Sequence, residues 1–148
     1  MARTASKDSK ACATKGDGSM RAEDKQKYHY KLLLFTCYGG CATGVAASRA
    51  CIRIWEEHPD DVKIGCLPAL VVPWKKKEIL EKSEKRILVD ACAVACGAKL
   101  AEREGMKMDR YVELTTTLGL SKQKSLPSVE LEKRIYSFLK KEVEDLIS

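Results

Sequence analysis

The chain has 148 residues, enough for one domain with a real core and too few for two comfortable ones. Apolar residues make up 45% and charged residues 32%, which excludes a disordered chain as the overall description. The net charge of +6 is concentrated at one end: residues 1–31 carry 8 Lys+Arg against 4 Asp+Glu, and the remaining 117 residues carry 19 against 17. Outside that end, the only basic cluster beside an aromatic is Lys75-Lys76-Lys77 next to Trp74, so nucleic acid is not an expected partner.

No stretch reaches the roughly 18 to 20 apolar residues of a spanning helix, so no membrane span is expected. The N-terminus lacks the apolar core of a secretory signal, which makes the cytoplasm the expected compartment. The unusual quantity is seven cysteines against two histidines. In a reducing compartment, clustered and odd-numbered cysteines point to metal ligation or redox chemistry rather than to a disulfide framework.

Residues 1–27 are rich in Ser, Lys, Thr, Gly and Asp without periodicity, and they read as a flexible N-terminal extension that includes Cys12. Residues 28–148 read as a single α/β, cysteine-rich, metal-binding domain. Its first element, Lys31-Leu-Leu-Leu-Phe-Thr36, is a continuous apolar run ending in Cys-Tyr-Gly-Gly, the pattern of a buried parallel strand entering a turn. Thr43 to Glu57 follows as an Ala-rich, largely buried helix with Trp55 and Cys51 read as core, closed by His58-Pro59.

Val62–Gly65 is the next strand, and Trp74 to Lys85 a polar helical connection. Arg86–Asp90 is a third strand that turns into a small-residue helix ended by Gly105. Tyr111–Thr115 is a fourth strand. Ser128 then caps a last helix, with Leu131, Ile135, Phe138, Leu139, Val143 and Leu146 at helical spacing. Strands alternating with helices predict a three-layer α/β domain, with a mostly parallel sheet of about four strands and helices on both faces.

On this map the cysteines fall at strand ends. Cys37 follows the first strand, Cys66 the second and Cys92 the third, with Cys41 and Cys96 each four residues further on. All strands of a parallel sheet end at one edge, which is where open α/β folds bind ligands. The spacing of Cys92 and Cys96 brings both to one point if the helix begins near Cys92. Helix N-termini favour thiolates at both loops.

Zinc suits four such sulfur ligands, and Cys37, Cys66, Cys92 and Cys96 are the expected site, with Cys41 as a possible fifth thiol. Two alternatives stay open: a thiol-redox, sulfur-transfer or metal-delivery protein using Cys92 or Cys37 as reactive thiolate, and an iron–sulfur protein, whose cluster four thiolates also suit. No residue pattern names a substrate or assigns a catalytic role. An unidentified protein partner is also left open.

The series Cys37-Tyr-Gly-Gly-Cys-Ala-Thr-Gly44, Gly65-Cys66-Leu67, Val89-Asp-Ala-Cys-Ala-Val-Ala-Cys-Gly-Ala-Lys99 and Leu114-Thr-Thr-Thr-Leu-Gly-Leu-Ser-Lys122 resembles the DGC-domain family over roughly residues 31–125. That family is named for an Asp-Gly-Cys motif, and four of its cysteines are thought to bind zinc. The resemblance implies that Cys37, Cys66, Cys92 and Cys96 are those ligands. Ala91 stands where the name-giving Gly belongs, Cys41 replaces a usual Ser, Leu67–Trp74 replaces a glycine-rich stretch, and Thr117 replaces an acidic residue.

Overall fold

A computed structural model describes residues 29–148; the expected extension at 1–27, with Cys12, lies outside the described residues. Four strands form one parallel sheet: β1 (Tyr30–Thr36), β2 (Val62–Ile64), β3 (Ser83–Asp90) and β4 (Arg110–Glu113), in the order β2-β1-β3-β4. The register pairs Leu32 with Val62 and Lys85, and Val89 with Val112. Among the described residues five α-helices connect and follow the strands: α1 (Ala42–Glu57), α2 (Pro73–Lys82), α3 (Cys96–Arg103), α4 (Leu114–Leu118) and α5 (Val129–Ile147). A 3-10 turn, Leu67–Val71, lies between β2 and α2.

The continuous apolar run of β1 is explained by burial on both faces. Leu32 and Leu34 point into one core with Ile87 and Val89 of β3, where Ala46, Ala47, Ala50, Cys51 and Ile54 of α1 meet Ile135, Leu139 and Val143 of α5. Leu33 and Phe35 point into the other with Leu88, Leu67, Leu70, Ala101 and Met106, beneath α2 and α3. At about 1.5–3 kcal/mol for each fully buried large side chain, these two layers are the main drive to fold. The expected three-layer architecture is present, and α5 begins as expected, with Ser128 Oγ accepting from Leu131 N at 3.2 Å.

The helical connection expected to run to Lys85 ends at Lys82, because Ser83–Lys85 pair with β1 as the start of β3, and three further local expectations change. The predicted fourth strand runs only to Glu113, because its carboxylate accepts from the amides of Thr115 (2.8 Å) and Thr116 (3.0 Å) and caps α4 in place of strand pairing. Trp55 is half-buried at the sheet edge, with Lys63 Nζ 4.0 Å from its ring, and Ile52 is exposed; only the Ala-rich side of α1 is core. The third change concerns α3, which starts at Cys96 rather than near Cys92, and it shapes the cysteine site directly.

Candidate metal centre

After β1 the chain crosses to β2 on one side, and it later returns to β3 on the other side of β1. The carboxyl ends of β1 and β3 therefore flank a topological switch point, the crevice where open α/β sheets take ligands. Cys37 leaves β1 there, and Asp90 ends β3 beside it. One sulfur each from Cys37 and Cys96 and a carboxylate oxygen of Asp90 lie within 4.8 Å of one another. Two sulfurs on one tetrahedral zinc, each about 2.3 Å from the metal, sit about 3.8 Å apart, so the spacing and the soft donors fit such an ion.

The segment after β3 determines how Cys96 reaches this point. Residues 91–95 make a turn, with Ala95 N donating to Cys92 O at 3.0 Å. Ala95 then adopts the left-handed conformation (φ 51°, ψ 44°) and α3 starts at the next residue. The Asp90 carboxylate anchors that start: Oδ1 accepts from Gly97 N at 2.9 Å and Oδ2 from Ala98 N at 2.8 Å. Tyr111 Oη donates to the same Oδ2 at 3.2 Å, and burial followed by the Asp90 charge pushes the Tyr111 phenol above its ordinary value.

Position 97 has to be glycine for this contact, since a Cβ there would lie 2.7 Å from Asp90 Oδ1 and 3.0 Å from Leu88 Cδ1. Cys92 and Cys96 are thus related by a capped turn, not by one turn of helix.

Cys37 is buried, and its sulfur accepts from Ala91 N at 3.1 Å. Burial pushes its thiol up to about 11 against the partial relief of that amide, so without a cation the sulfur keeps its proton. Ala91, at the position of the motif glycine, supplies this hydrogen bond without a positive φ. Across the loop Cys41 is the N-cap of α1, its sulfur 3.2 Å from Thr43 Oγ1. Burial opposes ionisation of Cys41, but the Thr43 hydroxyl, the Gly44 amide and the Lys122 charge together hold its thiol below the ordinary value. The loop lies tight on this helix: a Cβ on Gly44 would come 2.3 Å from Gly39 O.

Cys37, Cys41, Cys92 and Cys96 line one cavity of about 300 Å³, together with Gly39, Gly40, Lys122 and Lys124. Cys96 and Cys66 are both exposed, but Cys66 stands apart because it lines a different cavity of about 460 Å³ with Leu33, Gly65 and Ile79. The residue after it packs beside the start of α3, where a Cβ on Gly97 would lie 3.1 Å from Leu67 Cδ2. Cys51 is core, as expected, fully buried with its thiol pushed up to about 12 by burial.

Sequence reasoning missed Asp90 as a member of the group. Its signal was available in part: an acid at the end of an apolar strand, one residue before a small residue and a cysteine.

The molecule is thus an α/β domain whose switch-point crevice carries a sulfur-rich group compatible with metal binding. The sequence model of the DGC domain matches residues 33–143, most of the chain, and the protein belongs to that family. No curated protein and no solved structure matches the chain. Among the described residues no helix is long and apolar enough to cross a membrane.

Proposed function

We propose that this is a cytoplasmic zinc-binding protein whose ion is held at the carboxyl edge of the sheet by Cys37, Cys92 and Cys96, with Cys66 closing a four-thiolate set. The observation that carries this reading is the convergence of the Cys37 and Cys96 sulfurs with the Asp90 carboxylate at the switch point. Asp90 is 1% exposed and accepts four hydrogen bonds, from Gly97 N, Ala98 N, Tyr111 Oη and, at 3.9 Å, the Cys96 thiol, so its task is to hold Cys96 in place from behind. The Ala91 amide on the Cys37 sulfur supports a metal thiolate in the same way.

Four protein thiolates make the ion structural or stored, since catalytic zinc keeps an open position. A free, reactive Cys37 is disfavoured by the burial that pushes its thiol to about 11; zinc binding at neutral pH displaces that proton, and affinity rises with pH. The test is elemental analysis with a thiol count on protein purified anaerobically. The expected result is about one zinc per colourless chain. Brown protein with iron and visible absorption would establish the iron–sulfur alternative, and metal-free protein in which two thiols titrate reversibly as a disulfide would establish the redox one.

A further inference from the structure

Two clusters of lysines in this molecule have different surroundings. Lys75, Lys76 and Lys77 each face a carboxylate, Glu78 at 2.8 Å, Glu104 at 3.7 Å and Glu81 at 3.7 Å. Lys122 and Lys124 instead line the thiol cavity, and among the described residues neither has a carboxylate within ion-pair distance. The connection that bears them, residues 119–128, contains no acidic residue at all. Its course across the cavity is fixed at the residue between them, where Ala42 N at the start of α1 donates to Gln123 O at 2.8 Å.

Two like charges held at one cavity wall repel unless an anion lies between them and offsets the cost. The other lining residues are cysteines, glycines, Ala91 and Val94, and the charge behind them is the buried Asp90. A divalent ion on four thiolates carries a formal charge of −2, which a half-buried site tolerates only with cations or amide dipoles beside it. Two lysines match that charge.

We propose that Lys122 and Lys124 are the counter-charge of the metal centre, neutralising the zinc–thiolate group and retaining the ion. The inference rests on the zinc reading above and adds residues outside its ligand set. An exogenous anion is the competing occupant, but a neutralised centre leaves no net attraction for one.

Zinc dissociation constants of the full chain, measured by competition with a chromogenic chelator, test it. The double variant Lys122→Gln/Lys124→Gln is expected to bind zinc about 10- to 100-fold more weakly, the range for residues that support a metal from outside its ligand shell. Lys122→Arg/Lys124→Arg restores the affinity, and Lys141→Gln, an exposed lysine on α5, leaves it unchanged. Added salt weakens the wild type more than the Gln double variant, because the lysines are solvent-facing and screened.

A Gln double variant that binds as tightly as the loaded wild type overturns the counter-charge while leaving the zinc site standing. Lysine-dependent binding of inorganic phosphate to the zinc-loaded protein, read by calorimetry, also overturns it, since the cations would then serve an outside anion. A wild type that takes up no zinc fails the zinc reading itself.

Discussion

At the seam between β1 and β3 a thiol is buried, bonded to the Ala91 amide and faced by a second sulfur on a helix pinned by Asp90. At the end of β2 the Cys66 thiol is exposed, at the N-cap of a short 3-10 turn that leads into a separate, mostly apolar cavity. The same residue type at three strand ends thus meets two environments. Where two strands of the sheet's interior end side by side, neighbouring backbone and a buried acid organise the sulfurs. At an edge strand only one flank supplies partners, and the cysteine is left to be recruited. Pre-organisation belongs to the seam, because a ligand already in place loses little conformational freedom on binding.

The largest effect expected from this difference is on the ligands themselves. Cys37→Ser and Cys96→Ser each lower zinc affinity by more than about 100-fold, whereas Cys66→Ser, which removes the recruited ligand, costs about tenfold; chelator competition on the three variants reads the ratio. Equal losses at Cys66 and Cys37 would erase the distinction between seam and edge.

A middle-sized effect is expected behind the seam. Gly97→Ala forces its new Cβ against Asp90 Oδ1 and Leu88, destabilising the fold by about 1–3 kcal/mol and loosening Cys96. Denaturant melts combined with zinc titration check both, and Ala95→Gly is expected to raise stability by about 1 kcal/mol or less, the relief of a left-handed alanine reduced by the greater freedom of glycine in the unfolded chain.

The smallest effect lies far from both cysteine environments, where α1 meets α5. The Lys140 ammonium and the Tyr136 hydroxyl, with Arg53, hold the Glu57 carboxylate down to about 2. A depressed carboxylate contributes stability above its unfolded value, near pH 4.5, and loses it as pH falls toward 2. Glu57→Gln therefore flattens the acid limb of the stability curve between those values, measured by denaturant midpoint against pH. It leaves zinc affinity at pH 7.5 unchanged, which separates this helix pair from the seam.

Much of the fold is legible in the chain because it rests on local patterns. The apolar run of β1, the alternation of strands with helices and the Ser128 cap need only neighbours in sequence, and each element occurs where those patterns put it. Two of the departures arose through side-chain capture of backbone amides. Glu113 ended β4 early by taking the amides of Thr115 and Thr116, and Asp90 delayed α3 by taking those of Gly97 and Ala98. Such capture competes with regular pairing on a scale of about 1 kcal/mol per bond, which periodicity does not register.

The sequence by itself determined that thiols would gather at the carboxyl edge, because parallel strands share one direction and the cysteines follow three strand ends. Only the tertiary structure decided which sulfurs stand together. The strand order β2-β1-β3-β4 sets the ends of β1 and β3 side by side and sends Cys66 to the flank, and the turn at 91–95 aims Cys96 back at Cys37. It also decided that Lys122 and Lys124, some thirty residues downstream of Cys92, line the same cavity. Strand order and loop return depend on long-range packing of both cores, and no local spacing of residues encodes them.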